Sequence, residues 1–184
     1  MVLMPYLPNI NLRDLMSRNK EMKNFGECEW AKDLDVEGKK EIIDQVVDRV
    51  IETHDQGQAW GETILDNMII TKDKRVVICD PETLYDEDVP QTQRMASDLR
   101  DITFSTTIAM LRSGDAQNPQ EIVDQVLARY DNPEVTSALK RTVGKKLSLV
   151  QRLVYPIFEQ ARLGFKDMKE YDSIRQAILD FEPA

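Results

Sequence analysis

Apolar residues at steps of three and four mark segment 36–53 as the clearest amphipathic helix. Ile42, Ile43, Val46, Val47, Val50 and Ile51 share one face, with Glu, Asp, Lys and Arg between them. The same period returns along the second half of the chain. It predicts helices over 96–112, stopped by Ser113-Gly114, and over 119–130, with Ile122, Val123, Val126, Leu127 and Tyr130 inward. A short helix over 133–142 follows. Segment 145–163 carries Leu149, Val150, Leu153, Val154, Ile157 and Phe158, with a kink expected at Pro156. Segment 171–181 carries Ile174, Ala177, Ile178 and Phe181. Near the start, Asn11 is placed to cap a helix over 12–23 with Leu12, Leu15, Met16 and Met22 on its buried side. Two short β-like runs, 68–71 and 76–79, flank Thr71-Lys72-Asp73-Lys74-Arg75, which reads as a hairpin turn. Pro5 and Pro8 disfavour helix in the first ten residues and suit an extended segment or turn. Segments 25–34 and 80–93 read as loops. The expected fold class is mostly α with one small β-hairpin (α+β), in one domain over 1–184.

Composition narrows the picture. At 184 residues with 41% hydrophobic and 31% charged side chains, the chain has material for one real core. It holds 33 acidic and 24 basic residues, a net charge of −9, which repels phosphate backbones and argues against a nucleic-acid binder. Cys28 and Cys79 are its two cysteines, too few for a disulfide framework or a thiolate metal knuckle. No run approaches about twenty apolar residues, and residues 1–10 lack a basic region followed by a long apolar stretch. The expectation is a soluble cytoplasmic protein with no membrane partner.

The flanks of the hairpin hold the candidate chemistry. Asn67 enters its first strand and Asp80 leaves its second, so the pairing should bring them together. An amide oxygen beside a carboxylate can hold Mg²⁺ or Mn²⁺, which favour oxygen ligands. Glu62, five residues before Asn67, can reach the same place. The same residue types also cap and close turns, so spacing alone leaves both readings open. His54 stands without a nucleophile motif, Cys79 suits a small buried hydrophobe, and Trp60 suits core packing or a stack on a ligand. Residues 85–88, Tyr-Asp-Glu-Asp, suit a solvated loop or a basic partner.

In order, Trp60-Gly61-Glu62-Thr63-Ile64-Leu65-Asp66-Asn67, an apolar strand pair and Asp80-Pro81-Glu82 resemble the catalytic loop and metal-binding turn of the protein-kinase-like superfamily. The family writes these His-x-Asp-x-x-x-x-Asn and Asp-Phe-Gly, with a similar gap between Asn and the metal Asp. Gly before the acid is similar to atypical small kinases, such as the kinase subunit of the KEOPS tRNA-modification complex, and to aminoglycoside phosphotransferases. Residues 4–15 resemble the hinge and first large-lobe helix. Ser97-Asp98-Leu99-Arg100-Asp101 resembles the start of the central large-lobe helix. The resemblance spans about residues 1–111.

It implies a kinase-like large lobe with a hinge-like segment over 1–11, a catalytic-loop and metal-turn region over 54–98 and a helical subdomain over 99–184. It implies Mg²⁺ (or Mn²⁺) with ATP at Asn67 and Asp80, Glu62 in the catalytic-base position, and Met4, Tyr6 and Leu7 beside the adenine. It further implies a buried Asp98 accepting hydrogen bonds from backbone near residues 59–62.

The departures are equally specific. The chain opens at the hinge-like segment, with no Gly-rich loop and no Val-Ala-Ile-Lys strand, so the N-terminal lobe is expected to be lacking. The acid is Glu62 rather than Asp, Trp60 replaces His, and Pro81-Glu82 replaces Phe-Gly. No Ala-Pro-Glu motif lies between Asp80 and Asp98. Two functions are then open. One is a phosphotransferase that binds Mg-ATP weakly. The other is a degenerate (pseudo)kinase-like interaction module. Met1, Val2, Leu3, Met4, Tyr6 and Leu7 put six large apolar side chains in seven positions, so self-association or a partner chain is expected there.

Overall fold

The computed structural model describes residues 9–18, 22, 25–26, 28–79, 88–145, 160 and 163–183. Strand β1 (Asn9–Asn11) leads directly into helix α1 (Leu12–Arg18). A 3-10 turn (Glu29–Asp33) precedes α2 (Val36–Asp55). A second 3-10 turn (Leu65–Asn67) opens the hairpin β2 (Met68–Thr71) and β3 (Val76–Ile78). Four helices come next: α3 (Gln91–Ser113), α4 (Pro119–Tyr130), α5 (Pro133–Gly144) and α6 (Met168–Asp180). The α+β class is therefore as expected.

The sheet is larger than the expected hairpin. β1 joins it antiparallel to β2, giving the order β1-β2-β3 with Ile10 opposite Ile70 and Met68 opposite Ile78. Ile10, Met68, Ile70 and Val76 are buried, so the sheet covers one flank of the helical core. Segment 25–34, expected as a loop, contains the turn Glu29–Asp33, over which Trp30 Nε1 donates to the Lys72 carbonyl at 3.1 Å.

Local chemistry sets the helix ends. Asp35, Asn118, Asn132 and Asp167 each accept from backbone N–H groups of the first turn of α2, α4, α5 and α6. Pro119 and Pro133 occupy first-turn positions, where a missing N–H costs nothing. Gly114 ends α3 with φ 74°, a left-handed conformation that glycine adopts without Cβ strain.

Helix α3 is the axis of the domain and packs on α1, α2, α4 and α5. Every residue from 101 to 110 is buried. Its hydroxyls survive there because they bond back along the helix: Thr103 to Leu99 O (2.6 Å), Ser105 to Asp101 O (2.7 Å), Thr106 to Ile102 O (2.7 Å) and Thr107 to Thr103 O (2.6 Å). Phe104 stacks on Tyr171 of α6 at 5.0 Å between ring centroids. Lys39 of α2 is buried as well, with Nζ bonded to Met16 O (2.8 Å) and Asp115 Oδ2 (2.6 Å). Its cation thus ties α2 to α1 and to the segment after α3.

Residues 19–21 and 23 of the expected helix 12–23, most of 145–163 with its kink at Pro156, and residues 80–87 of the expected loop 80–93 lie outside the described residues. Among the described residues no helix is long and apolar enough to cross a membrane.

Candidate functional site

Asp98 lies in the second turn of α3, fully buried. One carboxylate oxygen, Oδ2, accepts from Trp60 N at 2.6 Å, and Oδ1 accepts from Gly61 N at 2.9 Å. The Asp98 carbonyl accepts from Thr63 Oγ1 at 2.9 Å. One residue thus fixes the loop at Trp60, Gly61 and Thr63. This is the burial and bonding expected of Asp98.

His54, at the end of α2, completes the brace. Its Nε2 lies 3.1 Å from Asp98 Oδ2 and its Nδ1 lies 2.7 Å from Tyr130 Oη. Burial first, then the charges of Asp98 and Asp55, hold the Tyr130 phenol above its ordinary pKa. A protonated phenol can donate to Nδ1 while Nε2–H donates to Asp98, so both ring nitrogens have a partner. His54 is therefore a structural link, not a candidate nucleophile activator. Trp60 is half-buried, and its Nε1 donates to Thr53 Oγ1 at 2.5 Å, which ties the loop to α2.

The brace also holds an unusual backbone turn. Gly61 has φ 67° and Glu62 has φ 44°. A non-glycine residue in this region costs about 1–2 kcal/mol and persists only where its surroundings hold it. Here the turn throws the Glu62 side chain into solvent. Its carbonyl accepts from Ile64 N (2.8 Å) and from Asn67 Nδ2 (2.9 Å).

That last bond orients Asn67. With Nδ2 committed to the Glu62 carbonyl, the amide's other terminus, Oδ1, is the group left for a ligand. Asn67 O in turn accepts from Cys79 N at 2.8 Å, extending the β2–β3 ladder by one pair. Asn67 and Cys79 are thus opposite one another, and Asp80 is the next residue in sequence. Asp80 itself lies outside the described residues, as do Met4, Tyr6, Leu7, the rest of residues 1–7, and residues 85–87 of the acidic run. Cys79, expected to be buried, is half-buried, because the ladder ends there.

Sequence reading missed the grip on the other side of this turn. Asn11 caps α1 as expected, its Oδ1 accepting from Arg13 N (3.0 Å) and Asp14 N (3.3 Å). Its Nδ2 also donates to the Asp66 carbonyl at 2.9 Å, and Arg13 Nη1 pairs with Asp66 Oδ2. No local pattern announces a contact spanning more than fifty residues.

The chemistry lies apart from a groove found among the described residues. That concavity, about 690 Å³, lies between α4, α5 and α6, lined by Asp124, Leu127, Asp131, Lys140, Asp180 and Phe181 among others. It contains none of Glu62, Asn67 and Asp98. Among the described residues, no three His, Cys, Asp or Glu side chains gather as a metal-binding group. No family model, curated protein or solved structure matches the chain.

Proposed function

We propose that the chain is a kinase-like phosphotransferase that binds Mg-ATP weakly through Asn67 and Asp80, with Glu62 in the catalytic-base position. The observation that carries this reading is the buried Asp98 carboxylate accepting both the Trp60 and the Gly61 N–H directly before the acid. A second observation supports it. The Asn67 amide nitrogen is engaged by Glu62 O, and the ladder pairs Asn67 with the residue before Asp80. An amide oxygen and a carboxylate form a hard, all-oxygen donor set, which fits Mg²⁺ or Mn²⁺. The bound cation would offset charge on the nucleotide's phosphates.

The exposed Glu62 carboxylate is free to meet an acceptor from solvent. It takes the acceptor's hydroxyl proton while that oxygen bonds to the γ-phosphorus. The bond to the β–γ bridging oxygen breaks, and ADP carries away that electron pair. Met4, Tyr6 and Leu7 are proposed to meet the adenine. A second reading is favoured by the apolar run over residues 1–7: a degenerate relative that acts by joining a partner or a second copy through that segment.

Calorimetry with Mg-ATP separates the two. Saturable, metal-dependent binding that Asp80→Ala abolishes supports the phosphotransferase reading, and Glu62→Gln should then keep binding while losing transfer. Absence of binding, together with a dimer that truncation of residues 1–7 dissociates, supports the module.

A further inference from the structure

Helix α3 reaches the catalytic-loop turn by a second route. Near its N-terminal end Asp98 holds Trp60 and Gly61. Near its C-terminal end Arg112 Nη2 donates to the Gly164 carbonyl. The adjoining Leu163 carbonyl accepts from Arg13 Nη2 at 3.2 Å. The other arm of the same guanidinium, Nη1, pairs with Asp66. Asp66 is the residue before Asn67, and its backbone carbonyl is also held by Asn11.

Gly164 decides whether this fork fits. Its φ is 77°, and a Cβ built on it would overlap Arg13 Nη2 and lie 2.9 Å from Arg13 Cζ. The atoms in the way are the far end of a flexible side chain, not backbone. A methyl group at 164 would therefore push the guanidinium aside. It would leave the helices in place, with added strain from the left-handed backbone at that one residue.

We propose that Arg13 is a positioning residue for Asn67, and that the bare Cα of Gly164 sets its guanidinium in place. The Arg13–Asp66 pair is partly exposed, with the two side chains 24% and 40% accessible, so its energetic weight is small and its effect is geometric. It holds the 3-10 turn Leu65–Asn67 at Asp66, as the Glu62 carbonyl holds it at the Asn67 amide. What Asn67 does with that orientation rests on the phosphotransferase reading. That Arg13 and Gly164 set the orientation does not.

The test compares Gly164→Ala and Arg13→Gln with the unaltered protein. The control is Val123→Ala, at a buried position of α4, a helix that packs on α2, α3 and α6. Two readouts are taken: the NMR resonances of the Asn67 side-chain amide, and the Mg²⁺ dependence of ATP binding by calorimetry. Both variants should shift the Asn67 side-chain amide and speed its exchange with solvent, whereas Val123→Ala should lower stability without moving it. If the unaltered protein binds Mg-ATP, both variants should weaken the apparent Mg²⁺ affinity about 10–100-fold, the usual loss when a group orienting a metal ligand is removed. Should it bind no Mg-ATP, the phosphotransferase reading falls, and the amide resonances alone judge the positioning claim. If Gly164→Ala fails to fold, Arg13→Gln carries the test. An Asn67 amide unmoved in a folded Arg13→Gln protein overturns the proposal, as does Val123→Ala moving it equally.

Discussion

The loop leading into the hairpin and the helical body beyond it are held by different physics. In the body, Leu99, Ile102, Ile108, Val123, Leu139 and Ile178 are at most 1% exposed and belong to one apolar core. Gly61 and Glu62 offer little apolar surface to bury, and their turn is instead held by named bonds to Asp98 and the Glu62 carbonyl. Apolar packing responds to volume, so similar shapes substitute for one another. A hydrogen-bonded brace responds to chemistry, so even an isosteric change that replaces an acceptor by a donor is felt. A loop of the second kind can hold strained backbone such as that at Glu62, which packing alone would not select.

The sharpest way to break this contrast is to remove the brace. Asp98→Ala strands the Trp60 and Gly61 N–H groups at about 1–3 kcal/mol each. Urea unfolding should show a larger loss for it than for Asp98→Asn, Leu139→Met or Tyr130→Phe, with faster amide exchange centred on residues 60–63. An unfolding midpoint equal to that of the unaltered protein would remove Asp98 from the account.

A matched pair sharpens it. Asp98→Asn keeps the shape but turns an acceptor into a donor, and should cost about 1–3 kcal/mol. Leu139→Met, at a buried position of α5, should cost less than about 1.5 kcal/mol because volume is nearly kept. Equal losses in denaturant titrations would mean that loop and body are held alike.

The smallest effect concerns the outer end of the brace. Tyr130→Phe removes the O–H bonded to His54 and should cost about 1 kcal/mol near neutral pH. The folded phenol keeps its proton above its ordinary value, whereas the unfolded phenol releases it near pH ~10. The unfolded state then binds fewer protons, so this contribution is intact below pH ~10 and declines as pH rises beyond it. The phenylalanine variant should lose stability less steeply above pH ~10, and identical slopes would contradict the buried, protonated phenol.

The sequence revealed these two regions unequally. Helices announced themselves through their period, because one apolar stripe per helix is what a shared core demands. Helix α3 nevertheless begins at Gln91, five residues before the expected start, because its first turn, Gln91-Thr92-Gln93-Arg94, is polar and Pro90 blurs the boundary. Strand β1 escaped notice because Asn9-Ile10-Asn11 carries one inward apolar residue, and its partner lies some sixty residues away. Lys39 stands among the polar positions of α2, where the apolar period says nothing of its burial, yet it is buried against Met16 and Asp115.

Glu62, Asn67 and Asp98 stand out in the sequence only through the resemblance of their motifs to the kinase-like pattern, and spacing alone leaves a turn-capping reading open for Asn67. The acceptance of the Trp60 and Gly61 N–H groups by Asp98 matches what that resemblance implies. The fork of Arg13 between Asp66 and Leu163 was not legible, since it joins residues up to 150 positions apart by a guanidinium that no periodicity marks.

The proposed metal-bound nucleotide would sit where Asn67 faces the hairpin's second strand. Mn²⁺ tests this directly, because it broadens NMR signals of nearby nuclei. With ATP present, substoichiometric Mn²⁺ should broaden the Asn67 side-chain amide and the Cys79 backbone amide first, and Asp80→Ala should remove that selectivity. Broadening centred instead on Asp124, Asp131 and Asp180 in the groove between α4, α5 and α6, or spread evenly over the acidic surface, would contradict the account.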